Sequence, residues 1–497
     1  MIKLRPYQIE AEKKIKEFFE SDKYKGTKQL IVSPCGSGKS ILVAAAAVHG
    51  AKRGGVLILQ PSRELLFQNI QKLRSLAPSL NPTIYSSSAG EKVSSELTYA
   101  TLGSVKNMGK QFCAMGIKTL ILDEAQSGYA PQQWVLTDDK KTKTKKRKLQ
   151  HSMYSKFLAD LNPERVLGFT ATPFRLKSNG MGNETMLNIM TRVSPRTFDD
   201  FLHIEQVQTM IDGNYWAPTQ YKCYDFDEGL LHYNSSGTEF TEESISEANM
   251  KMNVNNNAYL EVLRILKEDV QYKILLFAES VAVARKFQEV IEGSRVVDSD
   301  TSKTERAQIV EEFKTGKTRV LINFNVFSIG FDEPSLSHVI MAKPTGSYTV
   351  AYQSIGRGVR LHPQGLPFRL IDLCGNIKRF GRLEDLQITN VPHEGWVATT
   401  MGTDMFGKPA RILLTGVPVG SHYTLQSLSE IKQTKVIFKP TRMFPKGKFN
   451  GRNIKDVPQW YLKWCLTEDG RKAFASISNA EEFFNEITKY IESKSYK

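Results

Sequence analysis

Ser33-Pro34-Cys35-Gly36-Ser37-Gly38-Lys39-Ser40 is the stretch that orders the rest of the chain. The apolar run Gln29-Leu30-Ile31-Val32 leads into it, and the alanine-rich segment Ile41 to His49 follows. A strand, a glycine loop and a helix in that order make a phosphate cradle. Gly36 and Gly38, with Ser37 between them, let backbone N–H groups curl around anionic oxygens, and the helix N-terminus adds positive potential. Lys39 has the reach for β- and γ-phosphates, and the Ser40 hydroxyl suits Mg²⁺. The loop predicts a nucleoside triphosphate site but does not say what the energy drives.

Further short apolar runs lie at Val56–Leu59, Leu120–Leu122 and Val166–Phe169, with helix-like stretches between them. Residues 7–20 place Ile9, Ile15, Phe18 and Phe19 at helical spacing, an amphipathic helix. After about residue 260 the pattern restarts, with strands expected at Lys273–Ala278, Val296–Asp298, Arg319–Asn323 and Val339–Ala342 and helices at Val281–Glu292 and Ser302–Lys314. Buried strands alternating with helices describe an α/β fold with parallel sheets. The third run ends in Asp123-Glu124-Ala125-Gln126. Adjacent acids at a strand end suit a second Mg²⁺ contact from Asp123 and water activation by Glu124.

At 497 residues the chain is too long for one core, and about three domains are expected. Its net charge of +15 favours a polyanionic partner. Five scattered cysteines without a CxxC pair argue for a reducing compartment and against structural zinc. A charged N-terminal segment and the lack of any run of about 18 apolar residues predict a cytoplasmic protein that does not span a membrane. Seven of the nine residues 140–148 are Lys or Arg, and the charge run 138–148 predicts an unpacked, mobile loop. Residues 177–195 begin with turn formers and predict a flexible excursion, while 241–256 has helical character.

Taken in order, these motifs resemble those of superfamily 2 helicases and translocases, over roughly residues 4–361. Leu4-Arg5-Pro6-Tyr7-Gln8 is similar to the family's adenine-recognition element, which implies that Gln8 reads the base. Gln60-Pro61-Ser62-Arg63-Glu64-Leu65 and Ala100-Thr101-Leu102-Gly103-Ser104 resemble motifs Ia and Ib, and Leu276-Phe277-Ala278-Glu279-Ser280 resembles motif IV. The resemblance implies nucleic-acid contacts at Arg63, Thr101, Ser104 and Ser280. Thr170-Ala171-Thr172-Pro173 resembles motif III, which implies that Thr170 and Thr172 couple the ATP site to strand binding. Residues 325–332 resemble motif V, placing Gly330 and Asp332 near the nucleotide. Gln353 to Arg360 (QSIGRGVR) resembles motif VI, which adds Gln353 and two arginines three apart, Arg357 and Arg360, aimed at the γ-phosphate. Gln126 stands where the commonest acidic boxes have His or Asp, at a position implied to lie on the domain interface.

The resemblance implies two tandem RecA-like domains at 1–200 and 201–380, with ATP and Mg²⁺ between them and a C-terminal accessory module at 381–497. LRPYQ and TATPFR favour DNA over RNA. The compact layout is similar to UvsW-like phage branch-migrating helicases and, more distantly, to the RadD group, whose cysteine clusters this chain lacks. The expected activity is ATP-dependent remodelling or unwinding of branched or forked DNA, moving 3′ to 5′, by a monomer that also meets single-stranded DNA. A translocase subunit of a restriction-type complex and an RNA helicase are the alternatives. Phe444 to Trp464 resembles a small module found at the ends of nucleic-acid enzymes. Its basic residues Lys446, Lys448 and Arg452 are the DNA-binding candidates, and its tryptophans are expected in the module's core.

Overall fold

The computed structural model describes residues 4–127, 129, 132–138, 145–178, 185–193, 196–234, 237–269, 271–324, 333–404, 406–424, 449, 453–475 and 480–495. Two parallel sheets dominate it. The first has eight strands in the order 200–204, 28–32, 165–170, 117–122, 55–60, 97–101, 83–86 and 91–92; every pairing is parallel except the last. Leu30, Ile31, Val56 to Leu59 and Leu120 to Leu122 are fully buried, as continuous apolar runs must be when helices cover both faces of a sheet. The helix Pro6–Glu20 packs Ile15, Phe18 and Phe19 into this core. Ile9, expected on the same face, is exposed, and Tyr7 and Ala11 are buried instead.

The second sheet is wholly parallel, with strands 219–223, 368–372, 338–341, 274–277, 320–323 and 295–297 in spatial order. All four strands expected there from sequence are present. The helical character at 241–256 resolves into two helices, Glu242–Lys251 and Val254–Glu268, that meet at Asn253, a residue in the left-handed region at φ +53°. Asparagine tolerates that conformation better than most residues and so breaks one helix into two.

Several boundaries move. Asp200–Ile204 is the edge strand of the first sheet, so the expected division at 200/201 falls inside that sheet, and the second sheet starts at Thr219. A three-stranded antiparallel sheet, 387–391, 395–403 and 409–413, belongs to the same compact unit as both large sheets, residues 1–422, rather than to a module starting at 381. A separate unit spans 423–497, with its own core of Ile454, Leu462, Cys465, Phe474, Phe483 and Ile487 among others.

Two segments expected to be loops contain strands. Phe174–Ser178 pairs antiparallel with Thr185–Ile189, so 177–178 and 185–189 of the supposed excursion are strand, while 179–184 and 194–195 lie outside the described residues. Gln132–Asp138 pairs antiparallel with Lys145–His151, so the last four residues of the charge run lie in a hairpin. The apolar centre of the first strand, Trp134-Val135-Leu136, has high strand propensity and draws the basic segment into register. Among the described residues no helix is long and apolar enough to cross a membrane.

Candidate functional site

The strand Lys28–Val32 leads into Ser33, and the helix Lys39–Ala51 begins six residues after that serine. The chain turns between them through Gly36 at φ +71° and Gly38 at φ +81°, a conformation that suits glycine. A Cβ on Gly38 would lie 2.6 Å from Gln8 Nε2. Gln8 Nε2 donates to the Ser37 carbonyl at 2.8 Å, the Tyr7 hydroxyl donates to the same oxygen at 2.7 Å, and Gln8 Oε1 accepts from Arg5 N at 2.9 Å. Gln8, expected to read a base, is thus fastened to the glycine loop itself. The Ser37 hydroxyl turns inward, 2.6 Å from both Ser33 Oγ and the Pro34 carbonyl, so it shapes the loop from behind.

Lys39 reaches the acidic box. Its ammonium lies 2.9 Å from Asp123 Oδ1 and also donates to Glu124. Asn69 Nδ2 donates to the other Asp123 oxygen at 2.8 Å. Glu124 sits at φ +48°, a strained region for a side-chain-bearing residue that costs on the order of 1–3 kcal/mol. Gln126 Nε2 donates to Glu124 Oε2 at 2.7 Å, and Gln126 Oε1 accepts from Thr170 Oγ1 at 2.6 Å. Thr170 Oγ1 in turn accepts from the Thr172 backbone N–H at 2.9 Å. The unusual glutamine therefore joins the acidic box to the TATP segment through one amide. Burial opposes charge on Lys39, but Asp123 and Glu124 outweigh it and hold the lysine above its ordinary pKa. Burial likewise works against the Glu124 carboxylate, and Lys39 and Gln126 outweigh it, holding this acid below the usual range.

The second sheet contributes across the cleft. Gln353, on the helix Tyr348–Ile355, donates from Nε2 to Glu124 Oε2 at 3.2 Å. A Cβ on Gly356 would lie 2.7 Å from Cys35 Sγ, so glycine here permits the close approach of the two halves. An added Cβ on Gly36 would lie 3.4 Å from Arg360 Cγ. Burial holds both Arg357 and Arg360 below the ordinary arginine pKa. The segment joining the sheets closes one side: Trp216 Nε1 donates to the Cys35 carbonyl at 2.8 Å, Trp216 bridges Arg360, and Ala217 N–H donates to the Val359 carbonyl at 2.8 Å. A cavity of about 740 Å³ remains, lined among others by Lys39, Ser40, Glu124, Gln353, Arg357 and Arg360.

The nucleic-acid candidates lie elsewhere. Arg63 opens the helix Arg63–Leu76 with its guanidinium over the Phe67 ring. Thr101 Oγ1 and Ser104 Oγ are 2.9 Å apart, and the Ser280 hydroxyl caps the helix Val281–Val290. All four lie at or just after the carboxyl ends of parallel strands, the edge at which open α/β sheets bind ligands. Gly330, Asp332, Lys446, Lys448 and Arg452 lie outside the described residues. Asn69 and Trp216 escaped the sequence reading. Their partners are 54 and 181 positions away, and neither stands in a motif of its own.

The family described as "Type III restriction enzyme, res subunit" matches residues 1–175, which hold the glycine loop and the acidic box, and "Helicase conserved C-terminal domain" matches 257–362, which holds the arginine pair. Over these two stretches the chain is similar to helicase-type proteins. The chain is 23% identical to IRC3 of Saccharomyces cerevisiae, provisionally named an ATP-dependent helicase, over 64% of this chain and 43% of that one. It is 24% identical to the "DNA 3'-5' translocase XPB2" of Sulfurisphaera tokodaii, over 72% of this chain and 79% of that one. The chain therefore spans less than half the length of IRC3. Among solved structures, the type ISP restriction-modification enzyme LlaBIII shares the fold with a TM-score of 0.52 at 15% identity, over 74% of this chain and 27% of that one.

Proposed function

We propose that this helicase core is an ATP-driven DNA translocase that remodels or unwinds branched and forked DNA, moving 3′ to 5′. The observation that carries the reading is Gln353 meeting Glu124 at 3.2 Å across the cleft, with Arg357 and Arg360 beside the glycine loop. The phosphate-binding loop with its acidic box and the arginine pair thus belong to different sheets, and turnover requires the sheets to come together. The positive-φ glycines, the Lys39 ammonium and the adjacent carboxylates fit a nucleoside triphosphate and its Mg²⁺. Ser40 and Asp123 would hold Mg²⁺, which would offset charge on the phosphates, and ATP would supply the transferable phosphoryl group. Lys39 exchanges its carboxylate partners for phosphate oxygens, Glu124 takes a proton from the attacking water, and the two guanidiniums meet the charge that develops. Gln126 and Thr170 pass the state of Glu124 to the TATP segment, and Arg63, Thr101, Ser104 and Ser280 hold the strand backbone.

Three facts support DNA as the track: the net charge of +15, the name of XPB2, and the restriction-enzyme description of the matched N-terminal family. That family match also favours a second reading, a duplex translocase subunit of a restriction-type complex. Strand displacement on forks and four-way junctions, run beside triplex displacement on linear duplex, separates the two. Lys39→Ala is expected to abolish DNA-stimulated ATP hydrolysis while retaining DNA binding, and normal turnover by that variant would overturn the assignment.

A further inference from the structure

The C-terminal unit departs from expectation at its tryptophans. Trp460 is 61% exposed and Trp464 37% exposed. Its core is built by Ile454, Val457, Leu462, Cys465 and the helix Ala480–Ser495 through Phe483 and Ile487. The two indoles lie four residues apart on the helix Gln459–Cys465, one turn along the same side. Tyr461 sits beneath them, nearly buried, with its ring centroid 5.5 Å from Trp460 and 5.2 Å from Trp464. That packing holds both rings while leaving Trp460 largely and Trp464 partly exposed to solvent.

Charge identifies what these faces meet. Lys463 stands between the indoles in sequence and Lys455 precedes the helix, both exposed. Residues 423–497 carry fourteen Lys and Arg against eight Asp and Glu. Rigid aromatic faces flanked by cations match a polyanion that presents flat apolar rings, which is a nucleic-acid strand. In a duplex the base faces are covered by their neighbours, so the fit is to unpaired bases. We propose that Trp460 and Trp464 form a stacking platform for single-stranded DNA, separate from the strand contacts of the helicase core. The platform holds the unpaired arm of a fork while the core advances. This rests on the DNA-directed reading above.

The test uses the full chain without nucleotide and measures affinity for oligo-dT, a fork with a single-stranded arm, and blunt duplex. The double variant Trp460→Ala/Trp464→Ala is expected to lose about tenfold in affinity for oligo-dT and the fork. Its affinity for blunt duplex and its DNA-independent ATP hydrolysis are expected to hold. Trp460→Phe/Trp464→Phe, which keeps stacking rings, is expected to recover most of the loss. Unchanged oligo-dT affinity in the alanine variant overturns the platform, as does an equal loss on blunt duplex or no recovery by phenylalanine. Failure of the unsubstituted chain to bind any DNA overturns instead the proposed function on which the platform rests.

Discussion

Trp216 is the residue on which the two halves of the proposed ATP site are registered. It donates its indole N–H to the Cys35 carbonyl and bridges Arg360 through the backbone, so one residue touches both the glycine loop and the arginine turn. Its neighbour Tyr215 packs against Tyr7 at 5.1 Å, and Tyr7 holds the Ser37 carbonyl from the other side. Trp216→Phe keeps the ring in its buried place but removes the donor, a loss of about 1 kcal/mol. If the bond positions Arg360, steady-state kinetics will show kcat reduced roughly fivefold with little change in KM. A rise in KM with unchanged kcat would assign Trp216 to nucleotide binding instead. The sequence could not disclose this role, because a tryptophan in a connecting segment signals burial without naming a partner. The glycine loop and acidic box were legible for the opposite reason: each is a contiguous string whose backbone geometry fixes its chemistry. Gln126 lies between these cases. Its departure from the common motif was visible, but the single amide joining Glu124 to Thr170 emerges only when two strand ends lie side by side.

At the scale of elements, the hairpin of Gln132–Asp138 and Lys145–His151 is the clearest departure from the sequence reading. A run of like charges repels itself and reads as solvated coil. For residues 145–148 the reading failed because β-pairing is set by the partner strand, where Val135 and Leu136 stand in register with Lys148 and Arg147; residues 139–144 lie outside the described residues. A two-stranded hairpin is marginal by itself, and lysines on its edges discourage pairing with other chains. The basic strand follows closely on the acidic box in a chain with an excess of positive charge. Replacing Lys145, Lys146, Arg147 and Lys148 together by Gln is expected to weaken duplex and fork binding. The slope of log affinity against log salt should become shallower by about 0.9 for each phosphate no longer neutralised. Titrations across several salt concentrations check this, and an unaltered slope would leave the hairpin without a phosphate-binding role. The tryptophans of the C-terminal unit illustrate the same limit: as large aromatic residues they were expected in its core, but packing decides which face the core takes and leaves both exposed.

At the scale of the whole core, the proposed active site belongs to neither sheet. The first sheet supplies Lys39, Ser40, Asp123 and Glu124; the second supplies Gln353, Arg357 and Arg360, and apolar residues of both, such as Val32, Ala171, Tyr352 and Ile355, share one core beneath the cleft. The restart of the strand pattern after residue 260 made two sheets legible, while their true limits were hidden because the edge strand Asp200–Ile204 joins the first sheet only after the chain has crossed back to Lys28–Val32. A divided site makes a separable prediction. Because burial already disfavours the Arg357 and Arg360 charges, their guanidiniums are poised to gain most when negative charge develops on the transferring phosphoryl group. Arg360→Ala is therefore expected to leave ATP binding, measured with a fluorescent analogue, within a few-fold of normal. Its kcat should fall by on the order of 10³ or more, the scale of an arginine supplied to a phosphoryl-transfer site from outside the binding domain. Arg360→Lys should recover little, since an ammonium lacks the planar fork. Equal losses in binding and turnover would instead mean that the arginine holds the resting nucleotide, and that movement between the sheets is driven by binding rather than by passage through the transition state.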